Sequence, residues 1–138
     1  MPLTNAIKAA VLDALYGKQT LTVPSTLYIG LSTTAPNPDG TNFTEPSGGG
    51  YARVKWSNDL THWYAATVDN PSIKVNALPV LFPEATTGWG IITHWGIFNA
   101  ESSGALLDWG QLTTSFDVVA GQQPQFREGD LQTRIQNA

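Results

Sequence analysis

The chain has 138 residues and no cysteine, which excludes disulfide frameworks, zinc ribbons, thiol nucleophiles and iron–sulfur sites. Charged residues make up 13% and the formal net charge is -4, so there is no basic stripe of the kind that binds DNA or RNA. Hydrophobic residues at 41% and aromatics at 10% are too rich for a disordered chain. No apolar run approaches the roughly 20 residues that cross a membrane. The start, MPLTNAIKAAVLDALYGK, lacks the charged opening and small-residue cleavage site of a signal peptide. Residues 1–138 read as one β-rich domain of ordinary size, with a helical region at 1–20 and an extended Gly/Pro-rich loop at 33–50.

The first element is the only convincing helix. Thr4 or Asn5 can cap it, and Ile7, Ala10, Val11, Ala14 and Leu15 share one face at helical spacing. Gly17 is the expected left-handed stop. A helix of about 13 residues is marginal alone and needs a surface to pack on. It either covers an end or edge of the β-domain or docks on a partner chain. Leu27 to Ser32 (LYIGLS) then reads as a buried strand. The stretch Thr33 to Gly50 follows, with Pro36, Pro38, Gly40, Pro46 and three consecutive glycines. A loop of this length is unusual in a compact domain. It is either a slack surface connection or an arm that becomes ordered against a neighbouring subunit.

Tyr51 to Trp56 restarts strand alternation, with Tyr51, Arg53 and Lys55 on one side and Ala52, Val54 and Trp56 on the other. Ile73 to Val75 and Pro79 to Pro83 read as a strand pair or one interrupted strand, confined to an edge by the prolines. Trp89 to Asn99 (WGIITHWGIFN) is the strongest strand. Ala105 to Leu112, Ser115 to Val119 and Asp130 to Ile135 complete the set. Seven or eight short strands after one helix predict a mainly β fold, an antiparallel β-sandwich.

Nothing in the pattern reads as catalytic, metal-binding or cofactor-binding. The two histidines, His62 and His94, lie in no HxxxH or HExxH spacing, and His94 within a strand reads as a hydrogen-bonded structural side chain. No GxSxG elbow accompanies the serines. Gly48-Gly49-Gly50 lacks the Lys-Ser/Thr of a phosphate loop. The shared Thr-His-Trp at 61–63 and 93–95 has unlike flanks and is a coincidence rather than a repeat. Five tryptophans either fill the core or a subunit interface, or stack on sugar rings as in a carbohydrate-binding module.

Several of these segments occur together elsewhere. Leu27 to Thr33, Gly49-Gly50-Tyr51-Ala52-Arg53-Val54, Ile92 to Ala100 (ITHWGIFNA), and Gly104-Ala105-Leu106-Leu107 followed by Trp109-Gly110 stand in that order. The chain thereby resembles a group of small tailed-phage virion proteins, described as tail-fibre or minor structural proteins, in which GGxYAR precedes an xTHxGIFDAxxGGxLL block. Asn99 stands where the group commonly has Asp, and Ser103-Gly104 where it has a Gly pair, both changes that keep turn chemistry. The resemblance implies a virion structural protein rather than an enzyme. Arg53 is expected to make a charge-assisted anchor to a carboxylate or to backbone carbonyls, and Glu101 to Gly104 to turn a hairpin.

An arm and a helix that both call for a neighbour favour a capsid decoration (cement) protein, binding the assembled head shell and stabilising it by mass action. The alternative is a tail or tail-fibre component, with a host glycan as a further partner. The expected interface residues are Asn37, Asp39, Asn42 and Phe43 in the loop, Tyr51 and Arg53 after it, and Ile7 and Val11 on the helix. The expected partners are the major capsid protein or other virion proteins and further copies of the chain, with no nucleic acid, membrane or cofactor. The expected location is the virion, on the capsid surface rather than the tail, after synthesis in the host cytoplasm.

Overall fold

A computed structural model describes residues 3–136. It is mainly β, with helix α1 (Asn5–Leu15) followed by eight strands among the described residues: β1 (Thr26–Ser32), β2 (Val54–Ser57), β3 (Ser72–Val75), β4 (Val80–Leu81), β5 (Gly90–Phe98), β6 (Leu106–Val118), β7 (Gln125–Phe126) and β8 (Gln132–Ile135). Four of them form an antiparallel sheet in the order β2-β1-β5-β6, and the others pair as β3-β8 and β4-β7. The sheet grows from the most apolar segments of the chain. Leu31 lies opposite Trp95 on β5, and Leu27 opposite Trp56 on β2.

One cluster joins the sheet to the two strand pairs. Ile29, Leu31, Ile92, Trp95 and Ile97 of the sheet pack with Val80, Phe82, Phe126 and Leu131, giving a sandwich-like core. The core is tight where glycine admits a ring: a Cβ on Gly110 would lie 2.5 Å from the Trp95 indole, which rests against it across the β5–β6 ladder. Tryptophans 56, 63, 89 and 95 are buried and Trp109 is half-buried. The first four belong to the core cluster, as the core-filling alternative expects.

Several boundaries differ from the sequence expectation. Ala105–Leu112 and Ser115–Val119 belong to the single strand β6, interrupted by a wide irregularity in which four residues, 112–115, stand against Thr93 alone. A bulge absorbs extra residues without ending a strand, and it also blunts the long outer edge of β6 against stray pairing. Ile73–Val75 and the Val80–Leu81 segment do not pair with each other; each pairs with a later strand, β8 and β7. The two-residue β7 is too short to leave a periodic signal. Strand β2 begins at Val54, three residues later than expected, because Tyr51 and Arg53 turn their side chains to the loop.

The helix departs most. Its left-handed residue is Lys18 (φ 54), not Gly17. Thr4 occupies the N-cap position without a side-chain capping bond, its hydroxyl donating instead to the Leu107 carbonyl at 3.4 Å. No residue of α1 is buried. Ile7, Ala10 and Ala14 are half-buried, whereas Val11, Leu12 and Leu15 face outward. The helix therefore does not close the end of the sandwich.

Candidate assembly surface

Two regions can be built from the residues upward, and they differ in how their bonding capacity is used. The first is the 33–50 loop. It is folded onto the sheet face opposite the core, not extended away from it. Ser32 Oγ accepts the backbone N–H groups of Thr34 (3.1 Å) and Thr44 (2.9 Å), pinching the two ends of the loop together. At the tip, Asn37 donates from its side chain to Thr41 Oγ1 (2.9 Å), and Thr41 donates from its amide and hydroxyl to Asp39 Oδ1 (3.0 and 2.6 Å). Those bonds from Thr41 hold the Asp39 carboxyl below its ordinary range. Asn42 adopts a left-handed φ of 64 and donates to the Ala35 carbonyl at 2.9 Å. Asn37, Asp39 and Asn42 are exposed.

The base of the loop is fastened by Arg53. Its guanidinium grips Glu45 through two parallel bonds of 2.8 Å and donates to the carbonyls of Ala100 and Ser103, also at 2.8 Å. It lies 3.5 Å over the Phe98 ring, and only 5% of its side chain is exposed. Carboxylate and carbonyl anchors were both expected for Arg53, and this one side chain makes both. Tyr51 completes the group: its hydroxyl donates to Glu45 Oε1 at 2.6 Å and accepts the Leu31 amide at 3.0 Å. Burial and the adjacent carboxylate push its ionisation far up, so it stays a neutral donor. Phe43 packs edge-on against Phe98 at 4.9 Å and against Gly96, where a Cβ would come within 2.5 Å of its ring. The GGxYAR and GIFNA segments thus meet in space. Phe43, Tyr51 and Arg53 bind the loop to its own domain.

The second region is the arch formed by α1 and the segment returning from it to β1. Its foot is tied by Thr4 N–H to Leu107 O (3.1 Å) and Asn5 N–H to Pro38 O (2.9 Å). Beneath it lies a cavity of about 590 Å³, lined mainly by apolar side chains, among them Ile7, Val23, Leu27, Trp63, Ile97 and Leu107. Its outer surface is apolar as well: Leu12 is 56% exposed, Leu15 67% and Tyr16 78%. Of the sequence-predicted residues, Ile7 lines the cavity and Val11 lies on the exposed face. Asp108 stands in the cavity wall. Burial pushes its carboxyl up to about 6, against the opposing pull of hydrogen bonds from the Thr133 side chain and the Trp109 amide. One of its oxygens, Oδ1, has no hydrogen-bond partner among the described residues.

Glu45, Asp108, Leu12, Leu15 and Tyr16 were not singled out as contact residues from sequence. A signal existed for Glu45, the one carboxylate between Asp39 and Arg53, and for Asp108, the one acid in the expected strand Ala105 to Leu112. His94 is buried beside Trp109 and bonds Thr93 Oγ1 at 2.7 Å, and burial lowers its pKa. His62 pairs with Asp59 at 2.7 Å in a turn. Both histidines have local bonding partners, in unlike settings despite their shared tripeptide. Among the described residues no three His, Asp or Glu side chains gather as a metal site, and no helix is long and apolar enough to cross a membrane.

These features define a small β-domain whose polar motif residues hold its own loop and whose remaining surplus is an apolar face. The chain belongs to the family described as podophage GP4 fiber I protein gp80, whose model matches residues 2–134. It is a phage structural protein of the fibre type, as the resemblance in its motifs implied. Comparison with curated proteins finds no match.

Proposed function

We propose that the chain is a component of the tail fibre of a podophage virion, with a structural rather than catalytic role, in contact with other virion proteins and with further copies of itself. The family match, which spans nearly the whole chain, carries this reading. It favours the fibre alternative over capsid decoration. The decoration reading leaned on the 33–50 loop as an arm that needs a neighbour, and Glu45, Tyr51 and Arg53 give that loop its anchor within the same chain. Contact surfaces are then the exposed loop tip (Asn37, Asp39, Asn42) and the α1 face that includes Val11. Immunogold labelling of intact virions with an antibody to this chain tests the location. Label on the tail is the expected result, and label spread over the head would restore the decoration reading.

A further inference from the structure

Gln122, Gln123 and Gln125 fall within four residues shortly after the end of β6. With Phe116, Asp117 and Pro124 they line a groove of about 410 Å³, a volume in the range of small-ligand sites. The segment that carries the glutamines is held to residues 82–85 by backbone bonds: Gly121 N–H to Ala85 O (2.7 Å), Ala85 N–H to Gln122 O (2.8 Å) and Phe82 N–H to Pro124 O (2.9 Å). Gln122 Oε1 accepts the Val119 amide at 3.0 Å, which fixes that side chain and leaves its NH2 group to donate elsewhere. Among the described residues the side chains of Asp117, Gln123 and Gln125 have no hydrogen-bond partner, and all three are exposed. Phe116 is half-buried and packs against the core.

We propose that this groove binds a neutral saccharide. A sugar ring has an apolar C–H face and a rim of hydroxyls, each both donor and acceptor. The lining matches that pattern: one aromatic ring, amides that donate and accept, and one carboxylate that accepts. No lysine or arginine lines the groove, and Asp117 opposes a negative charge, so a phosphate or an acidic sugar has no partner there. An added peptide strand fits less well. Phe116 and Asp117 are consecutive on β6 and stand on opposite faces of it, so the groove crosses the outer edge of the sheet. The irregularity at residues 112–115 leaves only a short regular edge there, and Pro124 on the facing segment has no N–H to give. The ring in this site is a phenylalanine, outside the tryptophan set that first suggested sugars. The inference goes beyond the structural role proposed above and holds whether the virion location is tail or head.

Titration of the 15N-labelled full chain with a panel of neutral mono- and disaccharides (glucose, galactose, mannose, N-acetylglucosamine and their disaccharides), followed by two-dimensional NMR, tests it. Glutamine side-chain NH2 groups give their own signals, so the site reports directly. At least one sugar is expected to shift the Gln122, Gln123 and Gln125 side-chain signals with saturation in the millimolar range. Gln123→Ala with Gln125→Ala, which changes only exposed positions, should abolish the saturable shift while the rest of the spectrum stays native. Phe116→Leu, which keeps an apolar side chain against the core, should weaken binding by roughly 10-fold through loss of the ring face. Glucuronate should bind more weakly than glucose. The proposal is overturned if no sugar of the panel gives saturable shifts at these residues, if the saturable shifts lie elsewhere on the domain, or if the double glutamine variant binds as the wild type does. Tighter binding of glucuronate than of glucose would overturn the choice of a neutral ligand.

Discussion

The loop anchored by Arg53 and the arch of α1 are the two parts of the molecule outside the sandwich, and they handle surplus surface in opposite ways. The loop has many polar groups and almost no apolar ones, yet its base is closed: each hydrogen-bonding arm of Arg53 named above ends on Glu45, Ala100 or Ser103, and Tyr51 uses both sides of its hydroxyl. The arch is built on a helix, normally a better-packed kind of segment, yet it leaves Leu12, Leu15 and Tyr16 exposed and has an apolar-lined cavity beneath it. Secondary structure is thus a poor guide to which segment is self-sufficient. What decides is whether the bonding and burial demands of a segment are met within the chain.

The largest effect expected of this contrast is at Arg53. Arg53→Ala leaves the Glu45 carboxylate and two carbonyls facing the gap, and removal of one partner of a buried charge pair costs about 3–5 kcal/mol. Urea denaturation should show that loss. Arg53→Lys should recover little of it, because a point charge cannot make the two parallel bonds to Glu45 or lie flat on Phe98. A loss under about 1 kcal/mol would mean that the loop is dispensable to the fold, as a free arm would be.

Much of this region was legible in sequence and the arch was not, for a physical reason. Arg53 as an anchor, the turn at Glu101 to Gly104, His94 as a structural residue and the β5 strand all follow from local chemistry, which short segments carry. The pairing of β3 with β8 and β4 with β7 joins residues about 45 to 60 apart, and the two-residue strands β4 and β7 leave no period to detect. Likewise the break between residues 112 and 115 resembles a strand end because a bulge and a terminus both interrupt alternation. For α1, periodicity correctly marked a helix with one apolar stripe. Which side of that stripe meets the sheet depends on the tether at Thr4 and Asn5, whose partners are Leu107 and Pro38. No helix-local pattern reports that.

Asp108 sharpens the comparison from the arch side. Its folded pKa of about 6 lies above the ordinary 3.8, so the folded state holds the proton more tightly than the unfolded one. The sign follows: stability is highest below the ordinary value, falls as pH rises toward the folded value, and is lowest above it. A shift of this size corresponds to up to about 3 kcal/mol of destabilisation at neutral pH. Asp108→Asn, which keeps an acceptor for Thr133 and the Trp109 amide, should therefore stabilise the protein at pH 8 and flatten its pH profile between 4 and 6. Thermal melts across that range would measure it. Equal pH profiles in the two proteins would mean that the carboxyl is well solvated and the cavity wall open.

Gly96 tests the packing of the loop in isolation from its charges. Gly96→Ala places a methyl group within 2.5 Å of the Phe43 ring and 2.7 Å of Leu106, in a strand interior where neither can move freely. Overpacking of this kind costs about 1–3 kcal/mol. Phe43→Ala introduced together with it should recover part of the loss, since the ring is the nearest obstacle.

The smallest stability effect belongs to the most exposed apolar residues. Leu12→Glu and Leu15→Glu remove no buried contact from the single chain and keep good helix formers, so each should change monomer stability by less than about 0.5 kcal/mol. Compared with Arg53→Ala, the two helix substitutions separate the residues that hold the domain together from those that its stability does not require. Denaturation at low protein concentration measures the monomer alone, and sedimentation at high concentration measures association. A helix variant that lost several kcal/mol at low concentration would show that α1 is packed on its own sandwich after all, and the arch would join the loop as a self-contained part of the fold.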